Sequence, residues 1–207
     1  MIQVNFSANG QNSNDTILSV ISAPSEIGRA ISEDLANRKF GRWYHKVVAF
    51  YGSLMFANVA NDQEVRNYMI EGYKPFLDGK RKPKSGHVDY NVFGIWPFEI
   101  YKQTKDEKYK SIPMRLANDE YKSTRPDSLS DYTRFWVDDM YMIGVLQLQA
   151  YRSTGQSYYL NRTALQLKTY CDSLQRSNGL FYHRVDAPFY WGRGNGWAAA
   201  SLAELLI

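Results

Sequence analysis

The spacing of apolar residues along the chain predicts a series of helices joined by short turns. After about residue 25, apolar positions recur every three or four residues, as they do on one face of an α-helix. Turn residues between these runs place the predicted helices at 24–35, 43–59, 63–77, 92–104, 107–122, 140–153 and 157–175, with a last helix starting at Trp197. Residues 192–196 are predicted as a loop and residues 180–185 as a short extended stretch, and no run alternates like a strand in a sheet.

A repeated turn indicates how these helices are arranged. The run YKQT at 101–104, followed by Tyr109, recurs as YRST at 151–154, followed by Tyr159. A weaker third copy covers residues 56–68. Each copy joins an apolar inner helix to a more polar outer helix, which is typical of solenoids and toroids built from helical hairpins. We therefore predict an all-α fold of hairpin repeats.

This repeat defines one predicted domain. Helical hairpins occupy residues 25–207, and residues 1–24 are predicted to be a loose leader, because their first part is rich in Asn and Ser and shows little periodicity.

Composition narrows the class of ligand. Aromatic residues make up 15% of the chain, which suits stacking against sugar rings as well as packing between helices. The net charge of +4 mildly favours anionic partners. The basic cluster at 80–84 is typical of a solvated loop rather than a nucleic-acid surface, and no apolar run is long enough to span a membrane. We expect neither nucleic acid nor a membrane as a partner.

Cysteine, histidine and the N-terminus give little information about compartment or cofactor. Cys171 is the only cysteine, so the chain cannot form an internal disulfide. The N-terminus lacks the basic and apolar regions of a signal peptide, and both a cytoplasmic and a periplasmic location stay open. His45, His87 and His183 lack the spacing of metal ligands, and we expect neither a metal nor an organic cofactor.

Two adjacent carboxylates stand at the start of a strongly apolar helix. Neighbouring helical positions point about 100° apart, so Asp138 and Asp139 cannot face the same way. One can cap the helix, and the other can point into a cavity walled by aromatic residues, which would raise its pKa. A carboxyl group in that setting is a candidate general acid. The alternative interpretation is that Asp138 and Asp139 only cap the helix and take no part in catalysis.

Three loops that lead into inner helices carry the other candidate site residues. The loops are GHVDYN at 86–91 with Asp89, FWVDD at 135–139 with Trp136 and Asp138, and FYWGRGNGW at 189–197 with Trp191, Arg193 and Trp197. Equivalent loops of a toroid converge at one end of the ring. We expect two carboxylates, an arginine fork and aromatic walls to form a pocket for a negatively charged sugar.

The motifs in these loops resemble those of a known family. WVD at 136–138, WGRGNGW at 191–197 and Asp89 followed by Gly94 are similar to motifs of the unsaturated glucuronyl and rhamnogalacturonyl hydrolases, glycoside hydrolase families 88 and 105. The resemblance covers nearly the whole chain after about residue 25. It implies an (α/α)6 toroid that releases the unsaturated uronic acid left at the end of a sugar by polysaccharide lyases. Fragments of rhamnogalacturonan, glucuronan and glycosaminoglycans all stay open as substrates, and the lack of a longer basic cluster favours pectin fragments over sulfated ones.

The resemblance also implies a role for each site residue. Asp138 is expected to be the general acid and base, and Asp89 the second carboxylate that orients water. His183 and Arg193 are expected to bind the substrate, Arg193 through the uronate carboxylate. The aromatic residues expected to bind the substrate are Trp136, Trp191, Trp197 and Tyr44. For Tyr44 and His183 a packing role is an equal alternative.

The chemistry implied by the resemblance is hydration of an enol ether. A neutral Asp138 would protonate C4 of the C4=C5 bond, and water deprotonated by the same carboxylate would add at C5. The resulting hemiketal would open and expel the neighbouring sugar. This reaction needs an acid that is protonated near neutral pH, which aromatic walls and the nearby Asp89 would favour.

The number of helices falls short of a closed toroid. The predicted helices make about three hairpins and the start of a fourth, whereas the family's toroid has six. A partial ring exposes apolar helix faces. We therefore expect either a fragment truncated at its C-terminus or self-association that covers those faces. The alternative function is a non-catalytic helical module that binds acidic oligosaccharide or a protein partner.

Overall fold

The computed structural model describes residues 24–38 and 40–207, so the predicted leader lies outside the described residues except for Pro24. In this part of the chain the helices are α1 (Pro24–Ala36), α2 (Tyr44–Val59), α3 (Gln63–Leu77), α4 (Val88–Asn91), α5 (Ile95–Thr104), α6 (Ser111–Asp119), α7 (Asp139–Thr154), α8 (Ser157–Leu174) and α9 (Gly192–Leu206). Short 3-10 turns cover Val92–Gly94 and Glu107–Tyr109, and strands β1 (Tyr182–Arg184) and β2 (Ala187–Tyr190) form an antiparallel hairpin. The all-α prediction is confirmed.

Inner and outer helices differ in burial as the hairpin repeat requires. Four helices pack side by side in the order α2, α5, α7 and α9. Helix α3 lies against α2, and helix α8 lies against α7. Helix α7 is buried at every position from Asp139 to Ala150. Helix α8 buries residues along one face only, namely Tyr159, Thr163, Gln166, Leu167, Tyr170 and Leu174. A helix that is buried on all sides must lie in the interior layer.

Much of the aromatic content belongs to the core. Trp96 is fully buried, and its ring centroid lies 4.8 Å from Phe50, 5.3 Å from Tyr73 and 5.9 Å from Phe93. Tilted and edge-on arrangements of this kind are favourable beyond the area that they bury. This cluster fixes the spacing of α2, α3 and α5, and hence the position of the loop that carries Asp89.

The repeated sequence is also a repeated turn. Lys105 and Gly155 end α5 and α7 in the left-handed conformation, with φ of +59° and +71°. Each donates its backbone N–H to the carbonyl of the tyrosine that opens the repeat, Tyr101 or Tyr151, at 2.7 Å. The two hairpins therefore turn in the same way, which places their loops at equivalent points.

Lys105→Gly is expected to raise the free energy of unfolding by about 0.5–1 kcal/mol, because an exposed lysine is strained at positive φ and glycine is not. The matched exchange Gly155→Lys should lower it by a similar amount. Urea unfolding monitored by circular dichroism measures both changes. Equal stability of Lys105→Gly and the wild type would contradict the assignment of strain to this turn.

Two predicted boundaries are wrong. Residues 192–196 were expected to form a loop, but α9 begins at Gly192, since tertiary contacts described below outweigh the low helix propensity of glycine. The predicted helix over 107–122 is divided into a 3-10 turn and α6, which ends at Asp119. The predicted extended stretch at 180–185 contains β1.

No helix within residues 24–38 and 40–207 is long and apolar enough to cross a membrane.

Candidate active site

A pocket of about 130 Å³ forms where the three predicted loops meet. Its walls are Tyr44, Asp89, Arg134, Trp136, Asp138, His183, Trp191 and Arg193. The structure thus brings together all of the predicted site residues except Trp197, which does not line the pocket. Trp197 lies behind the pocket wall, with its ring 4.8 Å from Tyr141 and 6.2 Å from Tyr44.

Asp138 presents to this pocket a carboxyl group with one oxygen that makes no hydrogen bond among the described residues. Its backbone is already helical, and its side chain makes no capping hydrogen bond to α7. Its buried Oδ2 has no hydrogen-bond partner among the described residues and lies 3.9 Å from Nδ1 of His183. Burial raises the pKa of Asp138 above its ordinary value, and it outweighs the backbone hydrogen bond and the neighbouring His183 and Arg134, which lower it. This carboxyl group is suited to hold and release a proton.

Asp139 has the opposite environment. It is fully buried, and its Oδ1 accepts hydrogen bonds from Nε and Nη2 of Arg134 at 2.8 and 2.6 Å. Its Oδ2 accepts from the hydroxyl of Tyr170 at 2.7 Å and from the backbone N–H of Arg134 at 2.8 Å. Neither aspartate caps α7 through its side chain, because Asp139 turns back to the preceding loop. Asp139 is therefore a structural anchor for the loop that carries Asp138.

Arg134 is a pocket residue that the sequence analysis missed. Its Nη2 lies 3.7 Å from Oδ1 of Asp89, and its Nη1 lies 3.3 Å from Nε2 of His87. Its guanidinium also lies over the ring of Trp136, 4.8 Å from the centroid. Arg134 thereby joins the Asp89 loop to the Asp138 loop. The available signal was an arginine in an aromatic loop beside two aspartates, a common sign of ion pairing.

His183 lies between the aromatic walls and opposite Asp138. Its ring centroid is 5.3 Å from Trp136 and 5.2 Å from Trp191. Its carbonyl oxygen accepts a hydrogen bond from the N–H of Val137 at 2.9 Å, which ties β1 to the loop before α7. This contact fixes the imidazole relative to the Asp138 carboxyl group.

Arg193 lies at the open side of the pocket. It is exposed, and its guanidinium carbon lies 4.2 Å from the centroid of the Trp191 ring. Within residues 24–38 and 40–207 no carboxylate forms a salt bridge with it. An exposed and unpaired guanidinium over an aromatic face is suited to meet a ligand carboxylate.

The glycine-rich run of residues 191–197 is explained by close packing. A Cβ atom at Gly194 would lie 2.5 Å from Cγ1 of Val137, so only glycine lets α9 approach the Asp138 loop. The side chain of Asn195 accepts from the N–H of Phe181 at 2.8 Å and donates to its carbonyl at 3.0 Å. These contacts hold the start of α9 against both the Asp138 loop and the hairpin.

Gly194→Ala is expected to lower the free energy of unfolding by about 1–3 kcal/mol, because the added methyl group overlaps Val137 in a packed site. Gly196→Ala is the matched control, since a Cβ atom there meets nothing within 4 Å. It should raise stability by up to about 1 kcal/mol through helix propensity. Urea unfolding of the two variants measures the difference, and equal effects would contradict the close approach of Gly194.

Groups of three or more potential metal-ligating side chains are absent from residues 24–38 and 40–207.

Comparison with known proteins identifies the family. Residues 24–207 match Glycosyl Hydrolase Family 88. This chain belongs to that family. It is 33% identical over 181 residues to the unsaturated rhamnogalacturonyl hydrolase YesR of Bacillus subtilis (strain 168), with 77% of this chain and 52% of YesR covered. The chain therefore spans about half the length of the curated relative that it matches.

Two solved structures share the fold of this family 88 chain. A glycosyl hydrolase family 88 protein from Bacteroides vulgatus has a TM-score of 0.68 at 17% identity, with 89% of this chain and 61% of that chain covered. A structure named as a polysaccharide lyase has a TM-score of 0.67 at 19% identity, with 89% and 60% covered. At these identities the two structures support the helical toroid-type fold alone.

Proposed function

We propose that this chain is a glycoside hydrolase that releases a terminal 4,5-unsaturated uronic acid from oligosaccharides made by polysaccharide lyases. The observation that carries the proposal is the carboxyl group of Asp138, whose buried Oδ2 has no hydrogen-bond partner among the described residues and which faces a pocket that also contains Asp89 and Arg193. The name of the B. subtilis relative supports rhamnogalacturonan fragments as the source of the substrate.

In the proposed reaction, Asp138 supplies the proton and then takes one back. Its neutral carboxyl group protonates C4 of the unsaturated ring, which leaves positive charge shared between C5 and the ring oxygen. Water attacks C5 and gives its proton to the Asp138 carboxylate, so the acid is regenerated. The hemiketal formed at C5 opens, and the neighbouring sugar leaves. The raised pKa of Asp138 favours the protonated acid at the start of this cycle.

Asp89 and Arg134 also line the pocket and are suited to hold the attacking water. Nη2 of Arg134 lies 3.7 Å from Oδ1 of Asp89 and is anchored by Asp139, so the Asp89 carboxylate is positioned from a fixed point. The other oxygen of Asp89 lies 3.7 Å from Nδ1 of His87. Both contacts are longer than a hydrogen bond, so the Asp89 oxygens can accept hydrogen bonds from a water molecule.

Arg193 is the proposed partner of the uronate carboxylate. Its position at the open side of the pocket, stacked on Trp191, allows the planar guanidinium to form a two-point contact with a planar carboxylate. The aromatic rings of Trp136 and Trp191 then cover the faces of the sugar, and Tyr44 closes the side next to α2.

An absorbance assay tests the proposed reaction. The conjugated C4=C5 bond of unsaturated rhamnogalacturonyl disaccharide absorbs in the ultraviolet, and hydration removes this absorbance. A loss above the rate without enzyme supports the hydrolase. A gain of absorbance with polymeric rhamnogalacturonan would instead indicate lyase activity, which introduces the same bond. Binding of the disaccharide by calorimetry with no change in absorbance would overturn the hydrolase and favour a non-catalytic binding module.

Self-association stays a prediction. Ile27 and Ile31 on the outer side of α1 are about half-exposed, and an apolar groove of about 270 Å³ runs between α1 and α2. Sedimentation velocity at several protein concentrations measures whether a second copy covers such faces.

A further inference from the structure

An aromatic and basic surface lies beside the pocket and contributes no residue to its walls. Trp43 is 47% exposed, and its ring lies 5.1 Å from the ring of Tyr90. The ammonium group of Lys84 lies 4.9 Å from the centroid of Tyr90 and 5.6 Å from that of Trp43. We call Trp43, Tyr90 and Lys84 the platform.

The platform is continuous with the Asp89 side of the pocket. Tyr90 follows Asp89 in the chain, and Trp43 precedes the pocket residue Tyr44. The ring of His87 lies 5.8 Å from that of Tyr90, and its Nε2 lies 3.3 Å from Nη1 of Arg134 in the pocket wall. A chain that leaves the pocket past Asp89 therefore meets the platform next.

Helix formation does not account for tryptophan at position 43. Trp43 is the N-cap residue of α2, yet no side-chain hydrogen bond caps the helix there. Residues such as Ser, Thr, Asp and Asn stabilise this position by about 1 kcal/mol, whereas Trp leaves the first amides without a side-chain acceptor. Nearly half of its surface also stays in water. The large exposed ring is consistent with a ligand-binding role.

Lys84 is held in place without a counterion. Nη1 of Arg42 donates a hydrogen bond to the carbonyl of Lys82 at 2.7 Å, which fixes the loop before Lys84. Among residues 24–38 and 40–207, no carboxylate forms a salt bridge with Lys84, and the aromatic rings are the partners of its ammonium group. The charge is thus placed beside a stacking surface and is available to a ligand anion.

We infer that the platform is a subsite for a further sugar unit of the oligosaccharide, and that this unit carries a carboxylate. Its ring stacks on Trp43, and its carboxylate pairs with Lys84. The inference rests on the proposed function, since it assumes that the terminal unit of the same oligosaccharide occupies the pocket. A chain of alternating uronic acid and neutral sugar fits both sites, because it places a second carboxylate beyond the unit that is released.

Calorimetry with two ligands tests the subsite. The probes are the unsaturated rhamnogalacturonan disaccharide, which ends at the pocket mouth, and the tetrasaccharide, which supplies a second uronate. Both are titrated into Asp138→Asn protein, so that turnover does not change the ligand. We expect the tetrasaccharide to bind about tenfold more tightly, and Trp43→Ala to remove most of this difference while leaving disaccharide affinity unchanged.

Matched variants separate stacking from charge. Lys84→Gln should weaken tetrasaccharide binding about two- to fivefold and reduce its dependence on salt. Lys82→Gln removes an exposed lysine from the same loop and should have little effect. Tyr68→Ala removes an aromatic ring that is as exposed as Trp43 but lies on α3, and it should also have little effect.

The outcomes distinguish the subsite from the proposed function. Equal affinity for both ligands, with no effect of Trp43→Ala, would overturn the subsite and leave disaccharide binding in the pocket intact. Tetrasaccharide binding that depends on Trp43, without detectable disaccharide binding, would support the subsite and count against the pocket assignment. Absence of binding by either ligand would overturn both.

Discussion

Asp138→Asn is expected to lower kcat toward unsaturated rhamnogalacturonyl disaccharide by about 10²–10⁴, because an amide cannot donate the proton that C4 requires. The amide is close in size to the carboxyl group, so the pocket should keep its shape and KM should change little. Loss of ultraviolet absorbance under saturating substrate measures kcat. Turnover within threefold of the wild type would show that another group is the acid.

The same variant should be more stable than the wild type near neutral pH. Burial raises the pKa of Asp138, so the folded protein holds this proton more tightly than the unfolded chain does. The stabilisation is therefore complete below the ordinary aspartate pKa of about 3.9 and is lost as the pH rises through the raised pKa. Asparagine has no charge to bury. The free energy of unfolding of Asp138→Asn should therefore exceed that of the wild type at pH 7 and equal it near pH 3, as measured by urea unfolding at both values.

The wild-type activity should follow the same titration. Because the first step needs protonated Asp138, kcat should fall as the pH rises above the pKa of that group in the complex. A rate that increases steadily with pH would show that the carboxylate form, and not the acid, limits turnover.

Asp139→Asn is expected to lower the free energy of unfolding by about 3–5 kcal/mol. Asp139 is fully buried and receives two hydrogen bonds from the Arg134 guanidinium and one from the hydroxyl of Tyr170. Removal of its charge leaves the largely buried arginine without its main counterion. The cost should be visible in urea unfolding as a lower midpoint with an unchanged slope.

Two further variants make the Asp139 result specific. Asp172→Asn breaks an exposed pair with Lys168 on α8 and should cost no more than about 0.5 kcal/mol. Arg134→Met combined with Asp139→Asn should be more stable than the sum of the single losses implies, since neither charge is then left alone. Similar costs for Asp139→Asn and Asp172→Asn would contradict the structural role of Asp139.

The helices could be predicted from the sequence because their signals are local. The predicted bounds of α3 agree with the structure, since Asp62 caps it by accepting from the N–H of Val65 at 3.1 Å. Helix α7 could likewise be predicted from the apolar residues of its own sequence, without information about the helices that pack against it. The start of α9 was not predictable in this way, because glycine is a weak helix former and the contact of Gly194 with Val137 joins distant parts of the chain.

The pocket was predicted only in part for a related reason. Motif resemblance pointed to Asp89, Asp138 and Arg193, but it did not reveal that Arg134 pairs with Asp139. That depends on Phe135, whose φ of +56° turns the chain so that Arg134 faces back to Asp139. A positive φ at a phenylalanine is uncommon and has no sequence signal. The ion pair between Arg134 and Asp139, which anchors the loop before α7, could therefore not be predicted from the sequence.

The distribution of the site along the chain has a consequence for folding. The pocket takes Asp89, Asp138 and Arg193 from three successive parts of the hairpin array, and each approach between them closes a long loop. Such contacts form late, because the chain entropy lost on closure is recovered only when the helices dock. A protein with native helix content but one undocked hairpin would look folded by circular dichroism and lack the assembled pocket. Ligand binding, rather than helicity, is therefore the sensitive measure of a correctly assembled chain.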